Sequence, residues 1–451
     1  MKDVDMLRGP LARPMLMFAL PLIASGVLQQ SFNSVDVAVV GRYAGSDALA
    51  AVGSNGPVIG LLINMFVGIG VGVNVVIANC IGSGDRAGVR ASVASAVWLA
   101  IASGIFMLTV TLGVASPILS ALGTPESVLP HAVDYLRIYA VGMPFMIIFN
   151  FASAILRSVG DTKRPFYSLV ASGIVNLLLN LLFVIRFGMG VSGVAWATVI
   201  SSVVNAAIVT VILLREKSDI GLRLKELRPS WNRVRKICAV GIPAGLQSTV
   251  FSISNIFILS AINSFGAKAA AGSAAAINYE MYCYFVIASF ASTVVAFTSQ
   301  NFGAGNIERC HRILKIGLIY SVFISVVLNV LIAWQYEMFL WPFTDEPDVA
   351  AYGAVRLTTV LIFQFVACYY EMTGSSMRGM GYSMTPALIT IFGTCVLRLF
   401  WVWTLPADAT FSRLLAVYPV SWLLTDAIMY MAYRRISKKL PEKFCRAENI
   451  A

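Results

Sequence analysis

The sequence predicts an all-α integral membrane protein with twelve transmembrane helices in two six-helix lobes related by a parallel internal repeat. Three observations predict this fold. Of the 451 residues, 58% are apolar and only 12% are charged, which is about half the charged fraction of a soluble domain. Apolar stretches long enough to cross a bilayer follow one another along the chain. Short motifs of the first half also recur in the second half.

A helix needs about 20 mainly apolar residues to cross the hydrocarbon region of a bilayer. By this measure the predicted spans 1 to 12 cover residues 15–40, 48–80, 91–114, 131–156, 166–186, 191–214, 237–264, 269–300, 311–333, 349–375, 384–404 and 412–433. The first apolar run continues from Met15 to about Gly41 without a small-residue cleavage site. We therefore interpret it as a span and not as a cleaved signal peptide.

The distribution of Lys and Arg predicts that both termini are cytoplasmic. With that orientation, the inside segments hold 26 of the 33 basic residues and the outside loops hold four. The positive-inside rule makes this asymmetry decisive. These counts include residues at the ends of predicted spans with the adjoining loops: Arg312 and Lys315 inside, and Arg186 and Arg413 outside. The remaining three basic residues lie deeper in predicted spans: Arg137, Arg356 and Arg398.

The second half of the chain repeats motifs of the first at an offset of 221 or 222 residues. The pattern R-x-x-G-x-x-x-x-P begins at Arg157 and again at Arg378, and Pro21 matches Pro243. Because each half holds an even number of spans, the two copies have the same orientation in the membrane. Two such halves are typical of transporters that expose a site alternately to the two sides.

The repeat predicts four regions. These are an N-terminal lobe at 1–214, a basic cytoplasmic linker at 215–236, a C-terminal lobe at 237–433 and a basic cytoplasmic tail at 434–451.

Asp36 is the strongest candidate for a functional acid within a span. A carboxylate at mid-membrane costs about 2.5 to 3.5 kcal/mol, so its presence needs a reason. Burial disfavours the charged form of a carboxyl group, which predicts that Asp36 can take up and release a proton. Asn176 and Asn180 share one face of span 5, and Thr198 lies in span 6. These side chains could form a hydrogen-bonded pocket with Asp36, with polar helix packing as the alternative.

Further candidates line a possible substrate cavity. They are Asn33, one turn before Asp36, and Glu280, Glu371 and Arg398 in spans 8, 10 and 11. An ion pair between Glu371 and Arg398 would lower the cost of burying both groups. A role in binding a substrate or an ion is the alternative reading of these residues.

The other charged residues in spans favour structural roles. Asp134 and Arg137, three residues apart at the start of span 4, are predicted to form a local pair, and Asp426 to be a packing acid. The residue that matches Asp36 in the second half is Ile258. Proton chemistry at Asp36 would therefore be confined to one half.

Composition argues against several other classes. The seven cysteines form no CxxC pair and do not cluster with the two histidines, His131 and His311, so metal sites, haem and disulfide frameworks are not predicted. No nucleophile or acid–base constellation for a membrane enzyme is evident. The net charge of +11 follows from loop residues, so no nucleic-acid partner is predicted, and we expect no cofactor.

These motifs together resemble the multidrug and toxic compound extrusion (MATE) family over nearly the whole chain. The resemblance is carried by Ala19-Leu20-Pro21, Val35-Asp36, the stretch Gly45–Val52, the R-x-x-G-x-x-x-x-P element in both halves, and Gly193–Thr198. It implies two lobes with a V-shaped cleft. It also implies export of cationic or amphipathic compounds, driven by inward flow of H+ or Na+ as the coupling ion.

Residue by residue, the resemblance is closest to the DinF-like branch. Asp36 falls on the family's first-helix aspartate, a proposed coupling site, and Asn176, Asn180 and Thr198 fall on the polar cluster around it. That branch often has Asp where this chain has Asn180. The NorM-like branch has acids at the positions of Phe251 and Ala367, so this chain departs from that pattern, which favours H+ over Na+.

The resemblance leaves other transporters open. A lipid-linked precursor flippase or a narrow-substrate metabolite exporter of the same superfamily is the nearest alternative. A major-facilitator transporter is disfavoured, because Val89 stands where its loop signature requires Arg. The expected partners are small organic cations or amphipathic drugs and the surrounding lipid, with a monomer in a bacterial inner membrane.

Overall fold

The computed structural model describes residues 5–121, 123–406 and 408–448. Within these ranges, the side chains of residues 46, 47, 49 and 440–448 are outside the description. The side chains of part of the Gly45–Val52 motif and of part of the predicted tail are therefore not described. Within these described ranges, twelve helices are long and apolar enough to cross a membrane, which confirms the twelve predicted spans. Spans 1 to 12 are Ala12–Tyr43, Ala50–Gly82, Arg86–Ala121, Leu129–Ser158, Lys163–Arg186, Gly190–Arg215, Trp231–Asn263, Ala267–Gly303, Ile307–Trp334, Pro347–Gly379, Met384–Trp403 and Phe411–Lys439. The described part of the chain contains no strand.

Three spans change their helical geometry along their length. Span 5 ends in a π-helical segment at Leu181–Arg186, and span 11 contains another at Ile391–Val396. Span 10 passes through a π-helical segment at Leu357–Leu361 and a 3₁₀ segment at Ile362–Val366. π-Helical turns are rare in proteins, and those that occur are often found at functional sites. Spans 5, 10 and 11 are therefore candidates for carrying a functional site.

Short helices occupy the connections. A 3₁₀ turn at Leu224–Glu226 lies in the predicted linker, and Tyr336–Leu340 follows span 9. Span 7 begins at Trp231, inside the predicted linker, and the last helix, Val417–Glu448, continues through most of the predicted tail. The region boundaries drawn from the sequence stay a prediction.

The chain divides into two compact units, and neither unit corresponds to one continuous stretch of sequence. One unit contains Leu20–Gly245, and the other contains Met6–Ala19 together with the described chain from Leu246 onward. Spans 1 and 7 are each a single continuous helix. Each unit therefore contains the N-terminal part of a helix whose remainder belongs to the other unit.

In the first unit, small residues and buried amides hold the spans together. A Cβ at Gly104 in span 3 would approach Pro144 in span 4 to within 2.9 Å, so the two backbones are almost in contact. Asn55 in span 2 donates to the carbonyl of Ala132 in span 4 at 3.0 Å. Such close approaches and interhelical hydrogen bonds drive helix association in a lipid environment, where burial of apolar surface does not.

The second unit uses the same means. A Cβ at Gly272 in span 8 would lie 2.8 Å from the backbone nitrogen of Gly353 in span 10. The segment before span 1 is also anchored here, because Arg309 donates to the carbonyl of Gly9 at 2.9 Å and Asn301 donates to that of Met6 at 2.9 Å. Met6 is only 1% exposed.

Candidate functional site

A polar cluster in the first unit joins span 1 to span 5. The Nδ2 group of Asn180 donates to Oδ1 of Asp36 at 2.5 Å and to Oδ1 of Asn176 at 3.2 Å. Asn180 is fully buried and Asn176 is 6% exposed, whereas Asp36 is half-buried. The i, i+4 spacing of the two asparagines places both amides on the face of span 5 that meets Asp36.

A glycine sets how closely these two helices approach. A Cβ at Gly173 in span 5 would overlap the ring of Phe32 in span 1. Gly173 therefore lets the Phe32 ring lie directly on the span 5 backbone, one turn of helix before Asn176. This contact fixes the register in which Asp36 reaches Asn180.

The side-chain oxygen of Asn180 is not used as a hydrogen-bond acceptor by the described residues. Its Oδ1 atom is buried and accepts no hydrogen bond within the described ranges. An amide offers both a donor and an acceptor. Asn180 can therefore donate to an ionised Asp36 and, after its amide group turns over, accept from a protonated one.

Thr198, a predicted member of this cluster, and Asn33, a predicted residue of the substrate cavity, are placed differently. The hydroxyl of Thr198 donates to the carbonyl of Val194 in its own helix at 3.0 Å, and the structure gives it no hydrogen bond to Asp36. Asn33 is exposed.

Two tyrosines of span 4 belong to the site and were missed by the sequence reasoning. Tyr135 and Tyr139 stack with their ring centres 6.0 Å apart, and both interact electrostatically with Asp36. Tyr135 is 6% exposed. Their i, i+4 spacing was visible in the sequence, but nothing in it indicated which span their common face meets.

The charged residues of the second half pair differently from the prediction. Glu280 accepts from Nε and Nη2 of Arg356 at 2.6 and 2.8 Å, and Ser273 accepts from Nη1 of the same residue at 2.9 Å. The predicted ion pair between Glu371 and Arg398 is wrong, because neither forms an ion pair among the described residues. Arg356 takes the carboxylate partner because spans 8 and 10 pack at the close Gly272–Gly353 contact.

Two other predictions about charged residues can be compared with the structure. Asp134 and Arg137 are both exposed and form no ion pair in the described part of the chain, so the predicted local pair is also wrong. Asp426 accepts from the backbone N–H of Tyr370 at 2.8 Å, which ties span 12 to span 10. This contact is the kind that a packing acid makes.

Arg398 is enclosed by aromatic side chains. Its guanidinium carbon lies 4.5 Å from the ring centre of Tyr418, 5.3 Å from that of Phe251 and 6.0 Å from that of Trp422. Its Nε donates to the hydroxyl of Ser421 at 3.1 Å. Phe251, where the resemblance puts an acid of the NorM-like branch, here covers an arginine.

The described residues contain no group of three or more His, Cys, Asp or Glu side chains that could hold a metal ion. The chemistry of the Asp36 cluster is thus that of one carboxyl group beside neutral amides and phenols. Such a group can exchange a proton or bind a cation, and it has no partner suited to covalent catalysis.

Comparison with known proteins identifies the class of protein. Twelve candidate membrane spans among the described residues define a multi-pass membrane protein, and the family match makes it a transporter and not an enzyme. The MatE family model matches residues 21–182 and 243–404, once in each half. The chain belongs to the MatE family; its placement in the DinF-like branch stays a prediction.

Individual relatives cover nearly the whole chain. The probable multidrug resistance protein YoeA of Bacillus subtilis is 28% identical over 443 residues, which is 95% of this chain and 94% of YoeA. The probable multidrug resistance protein NorM of Thermotoga maritima is 27% identical over 392 residues, 86% of this chain and 84% of NorM.

A solved structure shows the same fold. A multidrug resistance MATE family transporter of the MOP superfamily, in an outward-facing conformation, aligns with a TM-score of 0.91 at 23% sequence identity, covering 98% of this chain and 99% of that one.

Proposed function

We propose that the protein is a secondary antiporter that exports cationic or amphipathic organic compounds in exchange for H+, with Na+ as the alternative coupling ion. The hydrogen bond between Asp36 and Asn180 is the observation that carries this proposal. It places an ionisable carboxyl group inside a helix bundle, against an amide that can serve either protonation state. The names of the multidrug resistance relatives support the substrate class.

The cluster suits a cycle in which charge is exchanged at one carboxyl group. With Asp36 ionised, Asn180 donates to it and a cationic compound is attracted. When a proton arrives, the charge disappears and the free Oδ1 of Asn180 accepts the new O–H group. The cation then loses its attraction and is released, so proton uptake and substrate release are coupled.

The immediate surroundings of Asp36 favour H+ over Na+. The side chains that interact with Asp36 are one amide and two phenols. A sodium ion in a dehydrated site is held by several oxygen ligands, whereas a proton needs only one carboxyl oxygen. A proton moving down 100 mV supplies about 2.3 kcal/mol, which supports a gradient of roughly tens-fold.

The direction of transport follows from the proposed orientation. The excess of basic residues in alternate loops supports cytoplasmic termini in a bacterial inner membrane. Asp36 and Asn180 then lie in the outer parts of spans 1 and 5, where protons enter from outside. A monomer contains the whole Asp36 cluster, which supports a monomeric transporter embedded in lipid.

The test is transport by purified protein in proteoliposomes. Efflux of a fluorescent organic cation is measured under an imposed pH gradient and, separately, under an imposed Na+ gradient. Wild type is compared with Asp36→Asn and with the matched control Asp134→Asn, which removes an exposed acid from span 4. We expect the pH gradient to drive transport in wild type and in the control, and not in Asp36→Asn.

Other outcomes have definite meanings. Full transport by Asp36→Asn would overturn the coupling role of Asp36. Transport driven by Na+ alone would replace H+ as the coupling ion. Failure of both gradients with several cations would favour a narrow-substrate metabolite exporter or a lipid-linked precursor flippase.

A further inference from the structure

Arg398 is a buried cation that forms no ion pair with any of the acidic side chains that the structure describes. Its side chain is fully buried in span 11, and its Nη1 and Nη2 groups make no hydrogen bond to any described residue. Only Nε is used, in the contact with Ser421. A buried guanidinium group that is neither paired nor fully hydrogen-bonded is strongly unfavourable, so this arrangement requires an explanation.

The aromatic surroundings offset only part of this cost. The faces of Phe251, Tyr418 and Trp422 attract the cation, as aromatic rings do. They cannot accept the N–H bonds of the two terminal nitrogens in the way that oxygen atoms can. In this conformation the rings enclose the group, so access to it requires them to turn.

The neighbouring charges leave Arg398 uncompensated. Arg356 also lies over the Tyr418 ring, 5.3 Å from its centre, but Arg356 is neutralised by Glu280. Two guanidinium groups thus share one tyrosine ring, and among the described residues only Arg356 is ion-paired to a carboxylate.

The internal repeat relates the helices around Arg398 to the helices around Asp36. Asp36, Asn180 and Thr198 lie on spans 1, 5 and 6, and Phe251, Arg398 and Tyr418 lie on spans 7, 11 and 12, which are the corresponding spans of the second half. Only one residue separates Arg398 from the π-helical segment Ile391–Val396. Corresponding helices therefore carry a carboxyl group in one half and an unpaired guanidinium group in the other.

We propose that Arg398 binds an anionic carboxylate or phosphate group of the transported compound. Because Nε is occupied, the free Nη1 and Nη2 groups form an end-on fork that matches two oxygens of such a group. The aromatic rings would then contact the apolar body attached to it. This proposal rests on the proposed transport function and extends the substrate class from cations to zwitterionic amphipathic compounds.

The test is direct binding, which needs no ion gradient. The probes are a cationic xanthene dye with a free carboxylate and its ethyl ester, which differ only in the anionic group. Affinities are measured by fluorescence anisotropy with the full-length protein in detergent. We expect wild type to bind the carboxylate dye about tenfold to 100-fold more tightly than Arg398→Gln does, with the ester affected much less.

Further variants keep the test decisive. Arg398→Lys retains the charge but not the fork, so its affinity for the carboxylate dye should lie between those of wild type and Arg398→Gln. Arg137→Gln, which removes an exposed arginine from span 4, should bind both dyes as wild type does. Inorganic phosphate should compete with the carboxylate dye and not with the ester if either kind of oxyanion is accepted.

Specific results would overturn the proposal. If Arg398→Gln unfolds at a lower temperature but binds both dyes equally well, Arg398 has a structural role only. The ratio of the affinity for the carboxylate dye to the affinity for the ester is compared between wild type and Arg398→Gln. If this ratio is the same in both proteins, Arg398 does not bind the anionic group. Failure of the proposed antiport would appear differently, as binding of either dye without gradient-driven transport.

Discussion

Arg356 and Glu280 form a bidentate ion pair inside the second unit, with both side chains less than one-tenth exposed. The third nitrogen of Arg356 is satisfied by Ser273. A buried pair of this kind is worth little compared with a well-packed apolar pair, but it becomes costly when one partner is lost. It therefore acts as a constraint between spans 8 and 10.

Removing one member of this pair should destabilise the protein strongly. Glu280→Gln leaves the charge of Arg356 buried without compensation, and a loss of about 3 to 5 kcal/mol is expected. The thermal unfolding midpoint in detergent measures it. The double variant Glu280→Gln with Arg356→Gln should be less destabilised than the sum of the two single variants, and additivity would contradict the pairing.

The side-chain amide of Asn180 should be important for gradient-driven transport. Asn180→Ala removes the donor to Asp36 and the acceptor for its protonated form, so gradient-driven transport should fall about tenfold, the equivalent of one good hydrogen bond. Proteoliposome uptake measures it. Asn278→Ala, which alters a half-buried asparagine in span 8 that bonds only within its own helix in the described structure, is the control, and an equal loss in both variants would argue against a specific role.

Gly173 should tolerate no side chain. Gly173→Ala places a methyl group where the Phe32 ring lies, and we expect a loss of about 1 to 3 kcal/mol in stability together with reduced transport. Thermal unfolding and uptake assays measure the two effects. Phe32→Ala should partly rescue Gly173→Ala, because it vacates the space; no rescue would mean that the close approach lies elsewhere.

The loop after span 2 predicts a dependence on pH. The backbone N–H of Gly88 and the guanidinium group of Arg233 hold the pKa of Asp85 below its ordinary value of 3.8. A lowered pKa stabilises the fold above that ordinary value, and the gain is lost as the pH falls through the folded pKa. Because Asp85 is 41% exposed, the effect is below about 1 kcal/mol.

Asp85→Asn should therefore lower the unfolding midpoint slightly at pH 7. The difference from wild type should begin to shrink below about pH 3.8, disappear once the pH is below the lowered pKa of Asp85 in the folded protein, and shrink at high salt. Thermal unfolding in a pH series measures it, with Asp408→Asn at an exposed position as the control. A difference that grows as the pH falls would contradict a lowered pKa of Asp85.

The proposed orientation can be checked with single cysteines on a background without native cysteines. Lys225→Cys lies in the linker between spans 6 and 7, and Asp345→Cys lies between spans 9 and 10. We expect a membrane-impermeant maleimide to label position 345 in intact cells and position 225 only after lysis. The reverse pattern would invert the orientation.

The sequence was sufficient for the membrane spans because hydropathy alone decides whether a helix crosses a bilayer. The ends were less certain: span 3 was predicted at 91–114 and observed at Arg86–Ala121. Helices continue past the hydrocarbon region into the aqueous phase, where apolar composition no longer marks them.

The contacts between spans were only partly predictable. Asn176 and Asn180 could be grouped because they are neighbours on one helix. Which carboxylate pairs with Arg356 or Arg398 depends on the rotation of spans 8, 10 and 11 about their axes. That rotation is set by close glycine contacts such as Gly272 with Gly353, which charge patterns do not reveal.

The division of spans 1 and 7 between the two units has a consequence for biosynthesis. The segment Met6–Ala19 is translated well before Leu246 and the helices that follow it, yet it packs in the same unit as they do. The first unit in turn lacks Trp231–Gly245 until the linker has been translated. Neither unit can therefore finish packing as an independent early domain. Two polypeptides separated at residue 214 would each have to recruit a helix end from the other chain.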